Sequence, residues 1–145
     1  MAHIRTQIRD AAEAMLAGLD LFKMIARARP YPIPAEKCPA ATLATPSERS
    51  GFNSMSQDFE RTLDLEIAVG ATGDRTVHDD LDDAAAAIEV AVANSDALKA
   101  LTQKIEIKAT TIEDGTDPAG TRVSLMVLTF ECQIVTAPGA PDTLG

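Results

Sequence analysis

Five residues in one short stretch, His78, Asp79, Asp80, Asp82 and Asp83, form the one group in the sequence that looks like metal chemistry. Carboxylate oxygens are hard donors and suit Mg2+ or Ca2+. A calcium loop, however, alternates its ligands around a glycine and closes on a distal glutamate. Here the spacing is helical: Asp79 and Asp83 share a face at i, i+4, while Asp80 and Asp82 point elsewhere. Acidic side chains gather at the start of a helix because its unpaired amides and dipole favour negative charge. No metal and no cofactor is therefore expected.

Nucleophilic chemistry has few candidates. His3 and His78 are the two histidines, and neither stands beside a Ser or Cys in an evident motif. A Ser-His-Asp set can still be assembled from distant parts of a chain. Gly70-Ala71-Thr72-Gly73 lies where a phosphate loop would sit, after a strand and before a helix, but it lacks the Gly-Lys-Ser/Thr ending and the Gly-x-Gly-x-x-Gly spacing. A plain turn is expected there. Cys132 falls in an apolar phase and reads as a buried small hydrophobe, whereas Cys38, beside Pro39, reads as exposed. These features predict a protein that is not an enzyme.

Residues suited to gripping a partner are easier to find. Phe52, Met55 and Phe59 lie in or beside a polar stretch, and apolar residues on loops often become anchors in an interface. Arg49 on the same stretch, and Asp114 and Asp117 in a second turn-rich segment, complete the candidate contact set.

Periodicity supplies the elements that must carry these residues. Ile4, Ile8, Ala11, Ala12, Met15 and Leu19 recur at helical spacing, with Arg9 and Glu13 placed to pair on another face. Leu21 to Arg29 reads as a short strand, stopped by Pro30, Pro32 and Pro34. Pro39–Thr45 reads as a second strand, and Pro46–Ser56 as a surface loop. Leu63, Leu65, Ile67 and Val69 alternate with Thr62, Asp64, Glu66 and Ala68, the signature of a strand with one buried face. Thr76 is placed as a side-chain cap for a helix whose stripe is Leu81, Ala84, Ala85, Ile88, Ala91 and Val92. Ser95-Asp96 opens a short helix through Leu101. Ile105 to Ile112 is a strand with Ile105, Ile107 and Ala109 facing one way, followed by a loop from Glu113 to Gly120. The closing strand, Val123–Val135, is apolar in both phases and predicts a central strand covered on both sides.

This order predicts an α+β domain over residues 1–136: a mostly antiparallel sheet of about four to five strands, with an N-terminal helix and an acidic, Ala-rich helix packed on it. Residues 137–145 read as a flexible tail.

Composition narrows the function classes. The 145 residues are 46% apolar but hold four Phe, one Tyr and no Trp, so aromatic stacking of single-stranded nucleic acid is disfavoured. Net charge is −9, distributed as +2 over residues 1–50 and −11 over residues 51–145. An acidic surface repels phosphate, which argues against tight DNA binding and suits a channel through which DNA passes as cargo. No run reaches the roughly 20 apolar residues of a membrane span, and no uninterrupted apolar stretch opens the chain, so no membrane partner is expected and folding in the cytoplasm is.

The sequence also resembles the tail-terminator and minor tail protein family of long-tailed phages and gene transfer agents. The likeness runs through Gln7-Ile8-Arg9-Asp10-Ala11 in the opening helix, the strand pair broken at Pro30, the polarised strand Thr62–Val69, the acidic run Asp79-Asp80-Leu81-Asp82-Asp83-Ala84, the Asp96–Leu101 turn and the closing strand Ser124–Thr136. It covers nearly the whole chain up to about residue 136. The long polar stretch Pro46–Ser56 and the Pro/Gly tail depart from the simplest pattern of the family. The resemblance implies a virion protein at the head-proximal end of a tail. Such a protein is a homo-oligomeric ring, commonly a hexamer, that caps the tail tube and meets the head–tail connector or neck protein, with no active site. Two rival readings are a neck or head-completion protein of the same particle, and a small cytoplasmic ligand-binding or enzymatic α+β domain.

Overall fold

The computed structural model describes residues 2–27, 33–52, 58–73 and 75–144. In chain order the elements are α1 (Ile4–Gly18), β1 (Met24–Arg27), β2 (Ala40–Phe52), β3 (Phe59–Ala71), α2 (Val77–Asn94), α3 (Asp96–Leu101), β4 (Lys104–Thr116), β5 (Arg122–Ala137) and β6 (Ala140–Leu144). The strands join in one six-stranded sheet, ordered β1-β2-β3-β5-β4, with β6 paired to the end of β5. Only the β1–β2 pair is parallel.

The period-two residues do what their spacing requires. Leu63, Leu65, Ile67 and Val69 all face the helices and are buried, opposite Cys132, Phe130, Leu128 and Met126 of β5. Helix α1 buries the stripe Ile4, Ile8, Ala12 and Leu16, and α2 buries Val77, Leu81, Ala85, Ile88 and Val92. Each large aliphatic side chain in these layers contributes about 1.5–3 kcal/mol relative to exposure. Small alanines between them let the helices approach the sheet closely.

Among the described residues, the opposite side of the sheet is covered only at one end. There Ile33, Cys38, Ala40 and Val123 form a second small cluster with Met24 and Leu125. Gly70 belongs to this packing: a Cβ on it would stand 3.3 Å from Ile33 Cδ1, so the missing side chain admits Ile33 against the sheet. Gly70 and Ala71 thus lie within β3 and not in the expected turn, and the glycine answers to a packing need.

Several expectations are corrected. The sheet is larger than four to five strands and outweighs the helices: strand accounts for 48% of the structure, in a curled half-barrel carrying three helices. Most of Pro46–Ser56 is not loop, because β2 runs on to Phe52 and only residues 53–57 lie outside the described chain. Pro46 is accommodated at a bulge between Ala44 and Ser47, where the ladder is interrupted and needs no donor. Strand β4 likewise continues through Thr116, leaving a turn over residues 117–121 in place of the longer loop. The tail from Ala137 carries β6, held further by the Gln7 side chain, which donates to the Asp142 carbonyl at 3.0 Å.

Smaller differences have local causes. A bulge between Ile107 and Ala109 sets Ala109 opposite Thr129, on the other face from Ile105 and Ile107. Strand β5 is covered on both faces only where the second cluster reaches it. The early strand spans Met24–Arg27 alone; Ala28–Pro32 are outside the described residues. Thr76 occupies the N-cap of α2 without a side-chain bond, whereas Ser95 Oγ does accept from the Leu98 amide at 3.2 Å. Glu13 pairs with Arg27 at 2.6 Å, and Arg9 turns to the hydroxyls of Thr45 and Thr6.

Candidate interaction site

The outer half of the β2–β3 hairpin forms an arm at one end of the sheet. Phe52 and Phe59 are directly paired across it and meet edge to face, with ring centroids 5.2 Å apart. Arg61 lies over the Phe59 ring, 4.7 Å from its centroid. Phe52 nevertheless remains 70% exposed, the largest exposure among the bulky apolar residues described. Arg49 is also exposed and makes no ion pair with another described residue. Three of the candidate contact residues, Arg49, Phe52 and Phe59, therefore share this arm, and Met55 lies outside the described residues.

The arm is fastened to the body by charge. Glu48 takes Arg61 at 2.9 Å and Arg5 of α1 at 3.1 Å, and Arg61 also donates to the Thr136 hydroxyl at 3.2 Å. Beside it, His3 caps α1 by accepting from the Arg5 amide at 3.1 Å. Burial holds the His3 imidazole below its ordinary pKa, and the cations Arg5, Arg61 and Arg9 push the same way against Glu48.

The other two candidates, Asp114 and Asp117, meet at the opposite end, on the β4–β5 hairpin. Asp117 accepts from the amides of Ala119 and Thr121 in its own turn and from Ala35 across the chain, at 2.8–3.1 Å. Those backbone bonds, that of Ala35 first, hold its carboxyl below the usual range. Asp114 accepts from the Ser124 hydroxyl and meets His78 Nε2 at 3.3 Å, with Arg122 at 3.7 Å. Its pKa is lowered first by Ser124 and then by His78.

A Ser-His-Asp set is thus assembled from three elements, but in an order unsuited to catalysis. A nucleophilic serine must give its proton to the imidazole, with the carboxylate behind. Here the carboxylate stands between Ser124 and His78, and Ser124 is 1% exposed. The trio ties α2 to the hairpin. Asp79, Asp80, Asp82 and Asp83 point outward from the first turns of α2, and among the described residues no three His, Cys, Asp or Glu side chains are placed to hold a metal ion.

Both thiols are buried, which corrects the reading of Cys38 as exposed. Its burial follows from Ile33 and Ala40 packing around it in the second cluster. Desolvation raises both, Cys132 to about 12.

Two surfaces were not foreseen. The first is β4 itself. Of its thirteen residues only Ile105 is even half-buried, its outer edge pairs with no other described strand, and Ile107 and Ile112 are 40% and 43% exposed. The alternating residues were visible in the sequence, but not that no helix would cover them. The second is a groove of about 420 Å3 between α2 and the segment after α1, lined by Leu21, Phe22, Val69 and Ala84 with Asp80 and Asp83 among its polar residues.

No protein-family model matches the sequence, and no curated protein matches it. A search of solved structures finds similarity to a chain of the "Virion of native gene transfer agent (GTA) particle", 15% identical, covering 92% of each chain at a TM-score of 0.41. Similarity at that level transfers neither fold nor function.

Proposed function

We propose that this chain is a structural subunit of a phage-type particle that works by packing against neighbours, in the role of a ring-forming tail terminator. The observation that carries the assembly part of this reading is β4. A thirteen-residue strand with an open edge, both faces largely bare and two isoleucines near half-exposed is a template for pairing with another chain. Monomeric proteins shield such edges with short strands, prolines, lysines, bulges or a covering helix; β4 carries Lys104, Lys108 and one bulge, but it is long, has no proline and leaves Ile107 and Ile112 uncovered.

The terminator role rests on the resemblance of the sequence and on how the surfaces are distributed. A terminator must match the last tube ring on one side and differ from a tube subunit on the other, so that growth stops. The arm with Phe52 and the hairpin with Asp117 project from opposite ends of the sheet and have unlike chemistry, one aromatic and cationic, the other acidic and tied down by backbone bonds. The net charge of −9 suits a ring whose lumen lets DNA pass without holding it. Partners on this reading are other copies of the chain, the tube protein and the head–tail connector.

Production of particles without this chain tests the role. A terminator's absence gives tails of uncontrolled length that fail to join heads. Tails of normal length, free of heads, would instead assign the chain to the neck, and normal particles would remove it from assembly altogether.

A further inference from the structure

We propose that β4 of the free chain pairs antiparallel with β4 of a second copy, Lys104 opposite Glu113 and Ile105 opposite Ile112, so that two sheets join into one. This rests on the reading of β4 as the edge through which the chain assembles, and it names what covers that edge before a particle is reached. The bulge decides the register. Ile105 and Ile107 stand opposite Cys132 and Phe130, and Thr110 and Ile112 opposite Leu128 and Met126, so all four face the helix side. Lys104, Glu106, Thr111 and Glu113 face the other side, where Lys108 also reaches Asp64 at 3.4 Å and Glu131 at 4.0 Å.

Side chains paired across two strands share a face, and a slip of one residue reverses them all. With Lys104 opposite Glu113, every pair from 104 to 113 matches: Ile105 with Ile112, Glu106 with Thr111, Ile107 with Thr110, and the bulged Lys108 with Ala109. A slip of two residues sets Glu106 against Glu113 in one direction and Ile107 against Lys108 in the other. A bulge discourages pairing on a lone edge, but here the two bulges meet at the centre, with four matched pairs on either side. The two-fold axis makes each contact occur twice, giving two Lys104–Glu113 ion pairs and two Ile105–Ile112 contacts. Within one copy Lys104 meets Glu106 at 3.4 Å, and both side chains are more than half exposed.

The helices leave room for this pairing. Helix α2 packs over β3 and β5 and leaves β4 bare. Joining two β4 edges sets the two β5 strands three strand spacings apart, about 14 Å, which exceeds the roughly 10–12 Å width of a helix. Both helix layers then lie on one side of the joined sheet, and the isoleucines of both copies line the floor between them.

Sedimentation velocity at concentrations up to about 1 mM gives a dimer for the wild type and nothing larger, because two copies use up an isologous contact. Lys104→Glu sets like charges opposite each other in both ion pairs and weakens the dimer at least about fivefold; Glu113→Lys added to it restores association. A mixture of Glu106→Cys and Thr111→Cys chains cross-links on oxidation, since that pair brings the Cα atoms to about 5 Å, within disulfide reach. Either chain alone does not, because its own two cysteines stand five residues apart along the joined strands, roughly 17 Å. The native thiols are buried and do not compete. A wild type that stays monomeric overturns the pairing, and so does one that associates without this cross-link, which would give β4 a different occupant. Exclusion of chains carrying Ile107→Lys with Ile112→Lys from particles would in either case still leave β4 as the assembly edge.

Discussion

The carboxylate of Glu48 stands 2.9 Å from the guanidinium of Arg61, with the two side chains only 13% and 10% exposed. Its second oxygen takes Arg5 of α1, so one β2 residue binds the hairpin arm to the helix layer. Replacing Glu48 by Ala leaves Arg61 desolvated beside Arg5 with no counter-charge. The expected cost is about 3 kcal/mol, the low end for removing one partner of a buried pair. Glu48→Gln keeps acceptor and shape and costs less. Urea unfolding of both variants measures the difference; equal stability for all three chains would show that the triad holds nothing.

Strand β4 gives the opposite expectation. Ile107→Lys with Ile112→Lys places charge on side chains already 40% and 43% exposed. The folded chain keeps its stability within about 0.5 kcal/mol per site. Incorporation into particles is lost, because a neighbour would have to bury two lysines. Particle composition read beside thermal melting separates the two effects.

Acid acts through His3 first. Its folded-state pKa lies below the ordinary 6.5, first because burial disfavours the charged ring and then because Arg5, Arg61 and Arg9 surround it. The unfolded chain therefore binds the proton more readily, and stability rises with pH in this window. The contribution is fully present above about pH 6.5 and is lost as pH falls below that value through the folded pKa. His3→Ala should flatten the change in Tm between pH 7 and pH 5. A wild-type Tm constant across that range contradicts the assignment.

Asp117 acts lower on the scale. Its folded pKa is depressed below 3.8 by the amides it accepts, so its contribution is present above pH 3.8 and lost as pH falls through the folded value. Asp117→Asn sets an amide group against the N–H of Ala35, or of its own turn. Tm should fall at neutral pH, and the acid limb of the Tm curve should become shallower than in wild type.

The thiols provide a check on the core. With Cys132 raised to about 12 and Cys38 raised by burial, neither reacts with a thiol reagent at pH 8 while the chain is folded. Both react on unfolding. A thiol titrating in the native protein would open one of the two clusters to doubt.

Strong periodicity made the centre of the fold legible. Leu63, Leu65, Ile67 and Val69, Ile4, Ile8 and Ala12, and Leu81, Ala85, Ile88 and Val92 are buried as their periods require. Ala11, Met15, Leu19, Ala84 and Ala91 of the same stripes are half-buried, and Leu16, outside the expected stripe, completes the buried face of α1. The outer half of β2 was hidden because Pro46, Ser47, Ser50 and Gly51 have the composition of a loop. Pairing with β3 and a bulge at the proline override that local preference. Cys38 was misread for a related reason: the neighbours that bury it, Ile33 and Val123, are brought there by tertiary packing that no local pattern encodes. Of the contact residues, Arg49, Phe52 and Phe59 could be found as misplaced apolar and charged types on a polar stretch. The groove around Ala84 could not, since its walls come from four separated segments.

Labelling of whole particles with an antibody specific to this chain, followed by negative-stain imaging, tests the central claim most directly. A tail-terminating subunit gives label at one point, where tail meets head. Label distributed along the tail would make the chain a tube component, and particles carrying no label would contradict a structural role.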